Sequence, residues 1–257
     1  TSDTPDGPML SKPVPQYVSY VNRVVAEIIE TERTYVKSLE DIIQGYLEYL
    51  EENDNIKVGS DDVNCLFSNI RSIYDFSKVF LSELEQCERE PIKVAECFVR
   101  NNKGFVIYTE YCTNYPGAVE VLTKFMKDPE LSEFFKNRQQ KLGHGLPLGA
   151  YLLRPVQRIL KYHLLLQNIW KSFEKDEEGY DILEQAFKHM TSMAHHINNM
   201  KRRHEHAIKI QEIQSQLEDY TGDDLTRLGE LVLESSFRVH GARASRHIFL
   251  FEKEILI

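Results

Sequence analysis

The sequence predicts an all-α fold, a bundle of helices over residues 17–218 that gives way to a short β segment over residues 219–257. Three observations carry this. The stretch Tyr17–Glu52 contains no proline and one glycine, and its apolar residues return at spacings of three and four. The stretch that follows is punctuated by helix start and stop signals. Only past Tyr220-Thr221-Gly222-Asp223-Asp224 does the apolar period switch to two.

The first fifteen residues hold four of the nine prolines (Pro5, Pro8, Pro13, Pro15) among Ser, Thr, Asp and Gly, a composition that cannot bury a core, so residues 1–16 are expected to form a flexible tail. From Tyr17 one long amphipathic helix is expected, its seam formed by Val21, Val25, Ile28, Tyr35, Leu39, Ile42 and Tyr46. Ser60 followed by Asp61 and Asp62 is a helix N-cap with an acidic first turn, opening a helix through Val63, Leu66, Ile70, Ile73, Phe76, Phe80 and Leu84. Pro91 starts another short helix. A further helix runs from about Phe105 to Met126, and Tyr115-Pro116-Gly117 should bend it, because proline removes a backbone donor. Asp128-Pro129-Glu130 reads as N-cap, proline at the first helical position and first-turn acid for a helix to about Leu142. Gly143, Gly145 and Pro147 break the chain. Helical patterns then run from Pro147 to Phe173 and from about Glu177 to Leu217. Beyond the turn, Leu231, Leu233, Phe237 and Val239 alternate, and His247–Phe251 and Glu254–Ile257 are rich in strand formers.

At 257 residues the chain predicts one elongated domain or one and a half. A composition that is 42% hydrophobic and 28% charged excludes a disordered or collagen-like chain. The 31 Lys and Arg against 40 Asp and Glu leave a formal charge of −9, which argues against nucleic acid as a partner and confines any basic site to a local patch. Cys65, Cys87, Cys97 and Cys112 form no C-x-x-C pair and read as reduced core thiols. With no apolar leader or membrane-length apolar run, the expected location is cytoplasmic.

The most informative segment is Tyr151–Lys171. Arg154, Gln157, Lys161, Leu164, Asn168 and Lys171 are separated by three or four residues and line one face, while Val156, Ile159, Leu160, Leu166, Ile169 and Trp170 point elsewhere. Its charge setting is distinctive: between Phe134 and Phe173 there are seven Lys and Arg and no Asp or Glu. A basic run is ordinarily a solvated face; here the same face also presents a leucine.

The run Leu153-Arg154-Pro155-Val156-Gln157-Arg158-Ile159-Leu160-Lys161-Tyr162, followed by Leu164-Leu165-Leu166, resembles the third conserved region of Dbl-homology domains. Glu27–Val36 with Leu39 resembles the first conserved region, and Phe67–Tyr74 with Phe80–Leu84 the second. Leu231–Val239 and Ile248–Lys253 are similar to the first strands of the pleckstrin-homology domain that usually follows, and within the family the chain looks most like the pleckstrin-homology-domain-containing family G members. The resemblance implies an elongated helical bundle. It also implies guanine-nucleotide exchange on a Rho-family GTPase (Rac1 or Cdc42 by subgroup, with RhoA open), by binding energy rather than covalent chemistry.

The resemblance also assigns roles. The acid at Glu27 accepts hydrogen bonds from switch I of the GTPase. Glu32 shares the seam of Ile28, Tyr35, Leu39 and Ile42 and is expected to be a semi-buried structural acid paired with Arg158. Gln157, Lys161 and Leu164 match positions that grip switch II, as does Asn198. His195, Asn198 and Arg202 share a helix face, and Lys201 or Arg202 would meet acidic residues on the GTPase's sheet. Arg238, Arg243 and Arg246 surround the first strand connection, where pleckstrin-homology domains hold phosphoinositide head groups; membrane or actin recruitment would follow from a full module. No cofactor is implied, and the late histidines lack partners at metal-ligand spacing. The alternative on the same fold is a non-catalytic scaffold that binds a GTPase or phosphoinositide.

Overall fold

The computed structural model describes residues 16–53, 56, 58–217, 220, 222, 224–238 and 245–257, with side chains from Tyr20 onward. The proline-rich residues 1–15, Val239 and Arg243 lie outside the described residues. The chain divides into two units, one reaching to His195 and the other running from His196 to Ile257.

The first unit is helical throughout. Helix α1 (Gln16–Ile42) buries the expected seam, with Ile28, Leu39 and Ile42 fully inaccessible, and packs against α4 and α9. The expected single helix to Glu52 is interrupted by a π-helical turn, Ile43–Leu47, before it resumes as α2 (Glu48–Glu52). The cause lies far along the chain. Arg138 Nε donates to the Gly45 carbonyl at 2.6 Å, and the bond across the widened turn runs from Glu48 N–H to Ile43 O. Gly45 leaves room there for Leu142, whose Cδ1 would lie 2.8 Å from a Cβ and would have to shift to admit one.

The helix expected from Ser60 to Leu84 is also two: α3 (Ser60–Phe67) and α4 (Ile70–Gln86). Ser68, at φ 49°, breaks it. Asn69 Nδ2 donates to the Ile107 carbonyl (2.9 Å) and Asn114 Nδ2 to Ser68 Oγ (2.9 Å), so tertiary partners hold a turn that the apolar periodicity runs straight through. Ser60 is the first helical residue rather than the cap; Gly59 is the N-cap, and its carbonyl accepts from Val63 N–H. Helix α5 (Pro91–Arg100) begins on its proline, and α6 (Ile107–Lys127) follows a 3₁₀ turn at Gly104–Val106 and continues through Pro116. Helix α7 (Pro129–Lys141) is capped as expected: Asp128 Oδ1 accepts from the N–H groups of Glu130 (2.9 Å) and Leu131 (3.1 Å). Gly143, at φ +66°, ends it.

The stretch from Pro147 divides into α8 (Leu148–Leu152) and α9 (Arg154–Trp170). The helical ladder lapses at Leu153 because Pro155 has no N–H to give the Tyr151 carbonyl. Helix α10 (Tyr180–Gln216) supplies residues to both units. At the centre of the first unit the rings of Phe98 and Phe105, stacked on each other, each meet Phe80 and Tyr162 edge to face, with centroids 5.0–5.4 Å apart in those four contacts. This cluster fixes the inner face of α9.

In the second unit, Ile210 and Ile213 of α10, Leu225 and Leu228 of a short 3₁₀ segment and Phe251 form a separate small core. Three antiparallel strands follow in the order β1 (Leu231–Arg238), β2 (Ser245–Phe251), β3 (Ile255–Leu256).

Candidate functional site

Helix α9 presents the stripe read from its spacing. Gln157, Lys161, Leu164, Asn168 and Lys171 are exposed and Arg154 half-buried, whereas Arg158, Ile159, Tyr162, Leu165, Leu166 and Ile169 are buried. Leu164 is 50% exposed, a leucine kept in water on a helix whose other face is packed.

Beneath the stripe, Arg158 ties α9 to α1. Its Nε donates to Glu32 Oε2 at 2.8 Å, its Nη1 to Thr31 Oγ1 at 2.7 Å and its Nη2 to the Ile28 carbonyl at 3.1 Å. The Tyr162 hydroxyl donates to the same Glu32 oxygen at 2.8 Å. Glu32 is wholly inaccessible, a fully buried structural acid where a semi-buried one was expected. Burial pushes its carboxyl above the ordinary value, against the pull of the Arg158 charge and the Tyr162 hydroxyl. Burial likewise raises the Tyr162 phenol well above its ordinary range, with the Glu32 charge adding to it. This acid holds two helices together and is not available to a partner.

Glu27 is different. One turn and a residue earlier on α1, it is off the buried seam and exposed, and its Oε1 lies 3.6 Å from Lys161 Nζ, with both side chains about half in water. Two residues singled out for separate roles therefore meet at the surface across the α1–α9 seam. Beside them a groove of about 250 Å³ is lined by Thr31, Thr34 and Tyr35 of α1 and by Arg154, Gln157, Arg158 and Lys161 of α9. Sequence reasoning gave Thr31 no role. Its hydroxyl donates to the Glu27 carbonyl (2.6 Å) and accepts from Arg158, linking the buried pair to the exposed one. Its place one turn after Glu27 and next to Glu32 was the available signal.

Asn198, Lys201 and Arg202 lie on the part of α10 that belongs to the second unit, and all three are exposed. Lys201 pairs with Glu205 at 3.7 Å and Arg202 with Glu230 at 3.3 Å. Arg238 and Arg246 are exposed near the open end of the β1–β2 ribbon. Arg238 is opposite Ser245 and Phe237 opposite Arg246, so the two arginines, one register step apart, face opposite sides of the sheet. Among the described residues no group of three His, Cys, Asp or Glu side chains is placed to share a metal ion, and no helix is long and apolar enough to cross a membrane. All four cysteines are free; Cys87 and Cys97 are buried, and Cys65 and Cys112 partly so.

Residues 24–198 match the RhoGEF domain family. Human pleckstrin homology domain-containing family G member 3 is 50% identical over 245 residues, an alignment covering 95% of this chain and 20% of that protein. Human Rho guanine nucleotide exchange factor 9 is 33% identical over 246 residues, covering 91% of this chain and 47% of its own length. The chain thus spans between a fifth and a half of these relatives. The solved structure of the linker-DH/PH domains of p115-RhoGEF aligns with a TM-score of 0.74 at 21% identity, over 92% of this chain and 76% of that one, a likeness of fold. The fold read from the sequence, a Dbl-homology helical bundle followed by the start of a pleckstrin-homology domain, is borne out.

Proposed function

The chain belongs to the RhoGEF domain family, and from that premise we propose that it is a guanine-nucleotide exchange factor that accelerates GDP release from a Rho-family GTPase, Rac1 or Cdc42 first and RhoA next. The observation that carries this is the surface meeting of Glu27 and Lys161 beside an exposed Leu164. A carboxylate, an ammonium and an apolar side chain stand on two helices locked together by a buried ion pair beneath them.

The work is done by binding. Glu27 accepts hydrogen bonds from switch I; Gln157, Lys161 and Leu164 take hold of switch II; Asn198, with Lys201 and Arg202, contributes from α10. The Glu27–Lys161 pair is half exposed, and such pairs are worth about 0–1 kcal/mol, so a partner separates them at small cost. The GTPase without nucleotide is bound more tightly than the loaded one, and that difference lowers the barrier to expelling GDP. Exchange of this kind requires no acid, base or nucleophile from the chain. Arg238, Arg243 and Arg246, in a full pleckstrin-homology module, would hold phosphoinositide head groups, and recruitment of a cytoplasmic protein to membrane or the actin cytoskeleton would follow from that module.

The test is release of a fluorescent GDP analogue from purified Rac1, Cdc42 and RhoA, with and without the chain. Acceleration of at least one is expected. A folded chain that accelerates none, yet binds a GTPase, is a scaffold instead.

A further inference from the structure

Two arginines one turn apart on α9 have opposite fates. Arg158 is buried and neutralised by Glu32. Arg154 has no carboxylate within ion-pair distance among the described residues, although it is half-buried and lines the α1–α9 groove. Along the same helix Lys161 has Glu27, while Lys171, also without an acid among the described residues, stands exposed at the far end of the stripe and outside the groove.

Arg154 is also held in place. Its guanidinium lies over the Tyr151 ring, 4.3 Å from the centroid; Tyr151 packs on His144 with centroids 4.9 Å apart, and His144 Nδ1 shares a hydrogen bond with the Tyr46 hydroxyl at 3.3 Å. A cation stacked on a buried aromatic loses little rotamer freedom when it takes a ligand, which is the condition under which a charge becomes a recognition group. The surroundings add to its field. Residues 134–173 hold seven Lys and Arg and no acid, in a protein of net charge −9.

We propose that Arg154 is a further partner-recognition residue: in the groove beside Gln157 and Lys161 it receives an acidic side chain of the bound GTPase, and so biases which GTPase is used. This rests on the exchange reading above. The groove is continuous with the stripe assigned to the GTPase, and among the described residues Arg154 is the one positioned positive charge there that no carboxylate compensates. An acidic side chain is the complement that such a groove selects, and it selects against a basic one.

The experiment measures exchange rate and its salt dependence for wild type, Arg154→Glu, Arg154→Gln, Arg154→Lys and Lys136→Glu. Lys136, exposed on α7 within the same acid-free segment, makes the same change in net charge outside the groove. Arg154→Glu is expected to lower kcat/KM by about tenfold or more and to flatten its fall with ionic strength, Arg154→Gln to lose about threefold, and Arg154→Lys to keep most of the rate. Lys136→Glu should match the wild type. If Arg154→Glu unfolds on heating much earlier than wild type, the neutral Arg154→Gln decides. Rates for both variants within about twofold of wild type overturn the proposal, as does an equal loss in Lys136→Glu, which makes the effect one of net charge. Failure of the exchange reading looks different: the wild type itself is then inactive on all three GTPases. In that case titration of nucleotide-free GTPase onto wild type and Arg154→Glu decides, and equal binding, or none by either, overturns the proposal.

Discussion

Arg158 and Glu32 stand 126 residues apart in sequence and meet at 2.6 Å between α9 and α1, neither side chain more than 6% accessible. The pair brings the exposed Glu27 and Lys161 to one surface. Removing one member leaves the other charged and buried, so Arg158→Met is expected to cost about 3–5 kcal/mol in urea unfolding followed by helicity. The double replacement Glu32→Leu with Arg158→Met should recover part of that loss, since no charge is left unpaired. A single replacement as stable as the wild type would mean that the pair does not hold the two helices.

The same acid makes stability depend on pH. Burial raises the Glu32 carboxyl in the folded chain above the ordinary 4.5, so its contribution is fully present below that value and is lost as pH rises through the folded value. The thermal midpoint of the wild type, taken relative to Glu32→Gln, should therefore decline as pH rises above the ordinary carboxylate range. A difference that instead grows in favour of the wild type would reverse the assignment.

Lys161→Ala and Asn198→Ala should each reduce exchange by about tenfold or more. Both residues are exposed, so unfolding free energies should stay within about 0.5 kcal/mol of wild type. Loss of fold in place of loss of activity would put them in structural roles.

Leu164→Glu places a charge where an apolar contact is proposed. Affinity for the nucleotide-free GTPase is expected to fall about 100-fold in a binding titration, with circular dichroism unchanged. Unimpaired binding would remove the stripe from the interface.

Much of the exposure and burial at the candidate site was legible in the sequence, because it is written in local spacing. The three-and-four recurrence on α9 separates Lys161 and Leu164 from Ile159 and Leu166, and the α1 seam sorts Glu32 to the inside and Glu27 to the outside. What escaped was set by partners far along the chain. Ser68 interrupts a helix because Asn69 and Asn114 bind across to other elements, and the turn at Ile43–Leu47 opens because Arg138 takes the Gly45 carbonyl. Proline at 155 carries its own break, yet one helical pattern in the sequence runs straight through it from Pro147 to Phe173. That Arg154 lacks an acid while Arg158 has one shows only once the helices are packed, since both read as arginines on one basic segment.

The widened turn between α1 and α2 shifts the helical phase. One extra residue in a turn rotates everything downstream by about 100°, so a single rod carries two seams. Before the turn, Ile28, Leu39 and Ile42 line the side facing α4 and α9. Within it Tyr46 stacks with Phe135 at 6.4 Å, and after it Tyr49 stacks with Phe134 at 6.0 Å, both partners on α7. The inserted residue acts as a fixed gear between the end of the rod that carries Glu27 and the end that carries Tyr46, the tyrosine that steadies His144 and, through it, Tyr151 and Arg154. A one-residue deletion there would restore a regular helix and put its two ends out of step.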